Sequence, residues 1–326
     1  MNKKTGIAII LFLVLLCSCA EKVHYEEAVL YDVKMIDNNY DNLLSGGHIT
    51  FFDSKLYICH SKDGLLFDSL YCVDDSGVKL ISRMNNSEAL FAEAPRLFND
   101  NHKLYGVDFF EQKIVKYDDS INKFVDSEYD IKPNSAIPYL SDDLKVWCSG
   151  VNELSYQYKN DKPITVSDVF LFYVRDKLIY YQDYYGRLLM LDCTESKSTG
   201  QLISSLSQEH CSDKMIIVDN YCYYNSDDGN DSSYKTGFYC YSLKNNRDLL
   251  LSNNTMCSMV SYQNKIYATD GDCIYVIEGE KFTKIGNISA QEIYIVDEEW
   301  IYLYNYGNEF YRILREDSSK IEHISI

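Results

Sequence analysis

The chain repeats one short phrase seven times: an apolar run with aromatic residues, a tight polar turn, and a second run that carries Tyr or Trp. The copies read ITFFDSKLYICH, RLFNDNHKLYGVD, YLSDDLKVWCSG, FLFYVRDKLIYYQD, MIIVDNYCYYNSD, MVSYQNKIYATDG and IYIVDEEWIYLYN. Their turns fall at Asp53-Ser54, Asn101-His102, Asp142-Asp143, Arg175-Asp176, Asp219-Asn220, Gln263-Asn264 and Asp297-Glu298. Asp and Asn tolerate the left-handed backbone of two-residue hairpin loops. Each phrase therefore predicts a β-hairpin.

The spacing of the hairpins predicts how they assemble. The Tyr or Trp of the second run recurs about every 40 residues, at Tyr57, Tyr105, Trp147, Tyr180, Tyr223, Tyr267 and Tyr302. Two further strand-like runs follow most hairpins, and four short antiparallel strands per unit are typical of a propeller blade. The sequence thus predicts an all-β fold, a β-propeller of seven four-stranded blades over residues 45–326.

Several alternatives to seven blades stay open from sequence. Six or eight blades would fit the short fourth and seventh units, and a β-sandwich or two tandem all-β domains would also be rich in strands. Helical signals occur only around residues 86–95 and 202–209. Residues 26–37 (EEAVLYDVKMID) add one strand before the first unit, and pairing of that strand with the last blade would close the ring.

The N-terminal residues have the pattern of an export signal. Lys3 and Lys4 precede the apolar core GIAIILFLVLL, which is shorter than the ~20 apolar residues that span a bilayer. Leu16-Cys17-Ser18-Cys19 then resembles the lipobox of bacterial lipoproteins. That resemblance implies cleavage after Ser18 and lipidation of Cys19. We expect a signal peptide at 1–18, a lipidated tether with the ring-closing strand at 19–44, and a protein held at the outer membrane or cell surface by acyl chains.

The net charge of the chain argues against one class of partner. The formal charge of −18 becomes −20 without residues 1–18, which argues against nucleic acid as a partner.

Nine cysteines follow Cys19, an odd number, and several lie in apolar strand-like runs. Because free cysteine packs as a small hydrophobe, we expect mostly structural thiols, with one or two disulfides as the alternative.

The motifs that carry common enzyme chemistry do not occur in the sequence. The six histidines form no H-x-x-x-H or H-E-x-x-H pair, and neither a G-x-S-x-G elbow nor a Gly-rich phosphate loop occurs. No cofactor is expected. Calcium is the one metal that the sequence raises, at the oxygen-rich residues 225–231, but their spacing departs from the calcium-loop pattern and favours a solvated loop.

The loops that follow the second strand of each blade are the predicted ligand face. They read SKDG, QDYYG, NSDDGNDSS, TDGD and NYGN, and loops on a rigid scaffold often carry binding groups. The candidate residues in them are Tyr184, Tyr185, Asp227, Asp231, Asp270, Asp272, Tyr304 and Tyr306. Tyr rings offer flat faces to a sugar or peptide, and Asp can pair with cations or hydroxyl groups.

Two segments resemble a known family. Tyr267 to Gly271 (YATDG) is similar to the Tyr-Trp-Thr-Asp phrase of lipoprotein-receptor propellers, with Ala268 in place of Trp. Residues 179–192 (IYYQDYYGRLLMLD) resemble bacterial LDL-receptor-related propellers. The resemblance implies a propeller exported as a lipoprotein and brings no catalytic residues. We expect a binding or protein-interaction scaffold whose partner is a protein, peptide or glycan. An exported glycan-degrading hydrolase or lyase is the alternative, because a propeller can bring distant carboxylates together.

Overall fold

The predicted hairpins form the inner two strands of seven four-stranded antiparallel sheets. The computed structural model describes residues 26–27, 47–53, 55–60, 69–74, 77–83, 96–99, 103–108, 111–133, 138–205, 214–226, 235–305 and 309–326. Within these residues the sheets are the blades of a β-propeller, which confirms the predicted fold and the number of blades.

The strands follow one another along the chain blade by blade. Ahead of the blades lies β1 (Glu26–Glu27). Blade 1 is β2 (Ile49–Phe52), β3 (Lys55–His60), β4 (Ser69–Asp74) and β5 (Gly77–Arg83). Blade 2 is β6 (Arg96–Asn99), β7 (Leu104–Asp108), β8 (Lys113–Asp118) and β9 (Lys123–Asp126). Blade 3 is β10 (Tyr139–Leu140), β11 (Leu144–Gly150), β12 (Glu153–Tyr158) and β13 (Ile164–Ser167).

The second half of the chain continues the same order. Blade 4 is β14 (Val169–Arg175), β15 (Leu178–Asp183), β16 (Arg187–Asp192) and β17 (Gln201–Ser205), with a 3-10 turn at Cys193–Glu195. Blade 5 is β18 (Met215–Val218), β19 (Tyr221–Ser226), β20 (Gly237–Ser242) and β21 (Arg247–Ser252). Blade 6 is β22 (Ser258–Tyr262), β23 (Lys265–Thr269), β24 (Ile274–Glu278) and β25 (Lys281–Gly286). Blade 7 is β26 (Glu292–Val296), β27 (Trp300–Tyr304), β28 (Phe310–Leu314) and β29 (Ile321–Ile324).

The hairpin turns agree with the predicted chemistry. Asp53, Asp219, Gln263 and Asn264 have φ between 48° and 60°, the left-handed conformation that these turns require. The fourth turn is one residue later than predicted. Arg175 still pairs with Leu178, so the turn is Asp176-Lys177, and Asp176 has φ 56°. The seventh turn is also one residue later than the predicted Asp297-Glu298. The Asp297 amide donates to the Trp300 carbonyl oxygen at 3.0 Å, so the turn is Glu298-Glu299.

The first strand of each blade lies innermost. The hydroxyl of Ser258 in β22 donates to the Ile293 carbonyl oxygen of β26 at 3.1 Å, and the Leu97 amide of β6 donates to the Gly47 carbonyl oxygen at 2.6 Å. The fourth strands lie outermost, and every residue of β9 and β21 is exposed or half-buried. The core therefore lies between the faces of neighbouring blades, where most of the repeated Tyr residues are buried.

Blade 1 packs directly on blade 7. The rings of Phe51 in β2 and Tyr302 in β27 meet edge to face at 5.2 Å between centroids. Outside them, β1 pairs in parallel with β29, with Glu26 opposite Glu322 and Glu27 opposite His323. The predicted pairing of the N-terminal strand with the last blade is confirmed at these two residues, and residues 28–37 lie outside the described part.

The cysteines of the described residues carry free thiols. Cys59, Cys72, Cys193, Cys222 and Cys240 are buried in the blades. Burial raises the pKa of the Cys193 and Cys240 thiols to about 12, so both stay protonated at neutral pH. The expectation of mostly structural thiols is confirmed for these five cysteines, while Cys148, Cys257 and Cys273 are half-buried. Cys17, Cys19 and Cys211 lie outside the described residues.

The two predicted helical stretches contribute no described helix. Residues 86–95 lie outside the described part, and Leu202 to Ser205 belong to β17, which corrects that prediction. Among the described residues, no helix has the length and apolar character needed to cross a membrane.

Candidate functional site

Two sets of loops open on one face of the propeller. The loop between the second and third strands of blade 6 contacts the connection to blade 7, because the Ala290 amide donates to the Gly271 carbonyl oxygen at 3.1 Å. The connection from blade 5 reaches the same loop, where the Asn254 side-chain amide donates to Asp270 Oδ2 at 2.8 Å. We call this side of the propeller the loop face, and the five candidate residues that the structure describes lie in its loops or at their edges.

The loop face carries a group of large apolar side chains between blades 3 and 4, here called the aromatic patch: the exposed Val151, Phe170 and Tyr185 and the half-buried Tyr184. Val151 is 84% exposed, Tyr185 73% and Phe170 42%, although Val and Phe are among the residue types most often buried. Phe170 sits at a β-bulge in β14, where the pairing skips from Val169 to Leu171. The bulge turns an otherwise core-facing position towards solvent.

The aromatic patch is held by contacts between the two blades. The rings of Phe170 and Tyr184 meet edge to face at 5.7 Å between centroids. The Tyr184 hydroxyl donates to Asn152 Oδ1 in the loop of blade 3, and the Val169 amide donates to the Asn152 carbonyl oxygen at 3.1 Å. Asn152 therefore fixes the spacing between the two blades at this point.

A buried carboxylate sets the shape of the loop that carries Tyr185. Asp183 is 3% exposed, and its Oδ1 accepts from the backbone amides of Tyr185 and Arg187, each at 2.9 Å. Its Oδ2 accepts from Arg187 Nε at 2.6 Å. The Arg187 guanidinium then lies 5.3 Å from the centre of the Tyr185 ring. The most exposed ring of the patch is thus positioned by a charge-assisted network rather than by apolar packing.

Of the two acidic candidate residues in blade 6, Asp270 accepts the hydrogen bonds that hold the loop in shape. Asp270 Oδ2 accepts from Asn254 Nδ2 and the Tyr275 hydroxyl, both at 2.8 Å, and Oδ1 accepts from the amides of Asp272 and Cys273. Burial would raise the pKa of Asp270, but these hydrogen bonds outweigh it and hold the pKa below its usual value. Asp270 therefore stabilises the turn as a carboxylate, while Asp272 is exposed beside it.

Tyr304 does not present a ring to solvent. It is 7% exposed at the end of β27, and its ring packs at 5.0 Å from Phe310 and 6.3 Å from Tyr294 between centroids. The expectation of an open stacking surface is therefore wrong for this residue. Asp227, Asp231 and Tyr306 lie outside the described residues.

The structure brings together only part of the predicted set. Tyr184 and Tyr185 share the aromatic patch, while Asp270 and Asp272 lie at blade 6. Val151 and Phe170 are members that sequence reasoning missed, because nothing in the run FLFY marks Phe170 as the exposed residue. In the part of the chain that the structure describes, no group of three or more His, Cys, Asp or Glu side chains is placed to hold a metal.

Solved structures similar to this chain share its fold at low sequence identity. A computationally designed protein, Ika8, is 10% identical with a TM-score of 0.52, over 92% of this chain and all of that one. The extracellular domain of the putative hybrid two-component system BT4673 from B. thetaiotaomicron is 14% identical with a TM-score of 0.52, over 83% of this chain and 38% of that one. Kluyveromyces lactis Hsv2 is 13% identical with a TM-score of 0.51, over 85% and 97%.

No protein-family model matches the chain, and neither does any curated protein. The likeness to solved structures concerns the fold alone. The resemblance of residues 179–192 and 267–271 to lipoprotein-receptor propellers stays a prediction.

Proposed function

We propose that this chain is a lipid-anchored, extracytoplasmic β-propeller that binds a protein, peptide or glycan partner on its loop face, through the aromatic patch. The observation that carries the proposal is the exposure of Val151, Phe170 and Tyr185 on one rigid loop surface. Exposed apolar clusters of this kind mark binding surfaces more often than isolated apolar residues do.

The aromatic patch contains residue types that often contribute strongly to binding affinity. Tyr and Arg are enriched among residues that dominate the affinity of interfaces, and the patch pairs Tyr185 with Arg187. Preorganisation by Asp183 and Asn152 lowers the entropy lost on binding, because the loop conformation is already fixed. The polar atoms around the rings, from Asn152 and Arg187, supply the hydrogen bonds that give a rim its specificity.

The proposed location derives from the lipobox pattern at Leu16 to Cys19. Two or three acyl chains give a durable anchor, since each buried methylene contributes about 0.8 kcal/mol. One of the similar folds is an extracellular domain, which is in keeping with this position. A propeller tethered through its N-terminus leaves the loop face available to partners.

The anchor is tested by a Cys19→Ala variant compared with a matched Cys17→Ala variant. We expect Cys19→Ala to lose incorporation of labelled palmitate and to leave the membrane fraction, because the lipid-bearing thiol is gone. Cys17→Ala should keep both properties, since Ser18 still precedes the lipidated residue. A Cys19→Ala protein that stays labelled and membrane-bound would place the anchor elsewhere.

The binding surface is tested by placing a photoreactive phenylalanine analogue at position 185 in the protein expressed in its native host. A matched control carries the same group at Ile121, which is 54% exposed in the turn between β8 and β9, on the opposite face. We expect a discrete crosslinked product from position 185 and none of the same mass from position 121. The product at 185 should weaken when Phe170 is also replaced with Ala.

Equal products from both positions would reject the loop face as the binding surface, because binding would then be independent of orientation. Absence of any product at 185, with the crosslinker shown to be reactive in denatured protein, would reject it as well.

A further inference from the structure

The strand β1 marks the place where the N-terminal tether reaches the propeller. It pairs with β29, the outermost strand of blade 7, with Glu26 opposite Glu322 and Glu27 opposite His323. Cys19 lies seven residues before Glu26 in the sequence. An extended chain spans at most ~3.6 Å per residue, so these seven residues reach no farther than about 25 Å. Acyl chains on Cys19 would therefore hold the outer edge of blade 7 within that distance of the bilayer surface.

The direction of β1 shows which end of this edge is nearer to the tether. β1 runs parallel to β29, and Glu26 pairs with Glu322, the second residue of β29. The chain therefore enters β1 at the end where β29 begins, beside the turn at residues 315–320 that joins β28 to β29. Because β28 runs away from the loop face, this turn lies on the opposite face. The tether thus reaches the propeller from the face that carries the tight hairpin turns.

The outermost strand of blade 1 exposes apolar side chains next to this edge. Val78 and Leu80 of β5 are 41% and 44% exposed. Val78 pairs with Val73, and Val73 belongs to the core cluster that includes Tyr294 of blade 7. Residues paired across two strands share one face of the sheet. Val78 and Leu80 are therefore on the side of blade 1 that faces blade 7, at the outside of the propeller.

The aromatic patch lies across the ring from this edge. The seven blades follow one another in chain order and blade 1 packs on blade 7, so blades 3 and 4 are each three blades away from blade 7. A compact domain of this length is about 50 Å across. The patch is thus separated from the tethered edge by nearly the full width of the propeller, and it opens on the face opposite the turn at 315–320.

We propose that the outer edges of blades 7 and 1 contact the lipid headgroups and hold the aromatic patch away from the bilayer, open to a partner in the aqueous phase. These edges, here called the membrane rim, comprise β1, β5, β29 and the turn at 315–320. The tether keeps the turn close to the headgroups, and Val78 and Leu80 enter the interfacial region, where apolar side chains are stabilised. The proposal rests on the proposed lipidation of Cys19.

The test measures energy transfer from a fluorophore on the protein to acceptor-labelled headgroups, in vesicles of phosphatidylethanolamine and phosphatidylglycerol. The lipidated full chain carries a clickable amino acid at Lys320 on the membrane rim or at Val151 in the aromatic patch, both exposed positions. We expect transfer from position 320 to be at least about threefold more efficient, because the patch lies about 50 Å across the ring from the rim.

A longer tether tests whether chain length sets this distance. Ten Gly and Ser residues inserted between Lys22 and Val23 extend the reach of the tether by up to ~35 Å. Transfer from position 320 should then fall to about half or less, while the protein keeps its palmitate label and stays with the vesicles.

A charge placed on the membrane rim tests the contact with lipid. Leu80→Glu should lower transfer from position 320 by about 1.5-fold, because a carboxylate is repelled by anionic headgroups and replaces an apolar contact. Leu202→Glu is the matched control, since Leu202 is 53% exposed on β17, the outermost strand of blade 4. It should transfer as the wild type does. Circular dichroism establishes that both variants are folded.

Three results in lipidated protein would overturn the proposal. Transfer from position 151 equal to or greater than that from position 320 would place the aromatic patch at the bilayer. Absence of transfer from position 320 would show that the edge of blade 7 is not held near the headgroups. Equal effects of Leu80→Glu and Leu202→Glu would show that the membrane rim does not contact lipid.

Failure of the anchor itself gives a different result. A wild-type protein without palmitate label, or a Cys19→Ala protein that remains on the membrane, would reject lipidation at Cys19 and this orientation with it. A labelled wild-type protein in which one of the three results above occurs would reject the orientation and leave the anchor standing.

Discussion

Replacing Tyr223 with Ala is expected to lower the free energy of unfolding by about 3–5 kcal/mol. Tyr223 is the aromatic residue of the fifth hairpin and is 1% exposed. Its ring stacks on Phe238 at 6.3 Å between centroids, and its hydroxyl donates to the Gly279 carbonyl oxygen of blade 6 at 2.9 Å. The substitution leaves a cavity between two blades and reduces the partners of the Gly279 carbonyl oxygen to the weak donor Cys240 Sγ at 3.8 Å.

Two further variants separate the ring from the hydroxyl in this result. Tyr223→Phe keeps the ring and removes the hydrogen bond, so a loss of about 1 kcal/mol is expected. Tyr185→Ala deletes the same side chain at a position that is 73% exposed and should change stability by less than about 0.5 kcal/mol. Urea unfolding followed by circular dichroism measures all three. A Tyr223→Ala protein as stable as Tyr185→Ala would contradict the packing of blade 5 on blade 6.

Removing Glu322 is expected to cost about 3–5 kcal/mol, because it strands a buried cation. The Arg312 side chain is 6% exposed, and Glu322 Oε2 accepts from its Nε at 2.8 Å and its Nη2 at 2.6 Å. The guanidinium also lies 4.0 Å from the centre of the Trp300 ring. In Glu322→Ala the cation keeps its ring contact but loses its counter-ion in blade 7.

Replacing both partners with apolar residues tests whether the unpaired charge causes the loss of stability in Glu322→Ala. Arg312→Met combined with Glu322→Leu should recover most of the stability lost by Glu322→Ala, because no unpaired charge remains. The exposed pair of Lys113 and Asp126, 2.9 Å apart, is the control, and Asp126→Ala should cost less than about 1 kcal/mol. Thermal and urea unfolding provide the comparison. Equal losses from Glu322→Ala and Asp126→Ala would reject the role assigned to the buried pair.

The sequence predicted the fold well because the hairpins are local. Asp219-Asn220 and Gln263-Asn264 have both the turn chemistry and the flanking alternation that define a hairpin, and the structure places turns there. The shift of the fourth turn to Asp176-Lys177 reflects a choice between two adjacent polar pairs, which propensity alone does not decide. The number of blades then equals the number of hairpins in the chain, which is seven.

The candidate site was predicted in part, because its members come from different blades. Tyr184 and Tyr185 lie in a loop whose polar turn residues mark it as exposed. Tyr304 is still in its strand, and the alternation of strand side chains turns it into the space between blades. Phe170 is exposed by a β-bulge that depends on the register of β14 and β15. Such a register is a tertiary property that no local pattern encodes.

Binding at the aromatic patch is tested most directly by the affinity of the partner captured at position 185, once purified, for single-site variants. Phe170→Ala and Tyr185→Ala should each weaken binding by about 1 kcal/mol or more, roughly fivefold in Kd. Ile121→Ala on the opposite face and Leu80→Ala on the outermost strand remove exposed apolar side chains of similar kind and should leave Kd unchanged. Wild-type affinity in folded Phe170→Ala and Tyr185→Ala proteins, or equal losses in all four variants, would contradict binding through this surface.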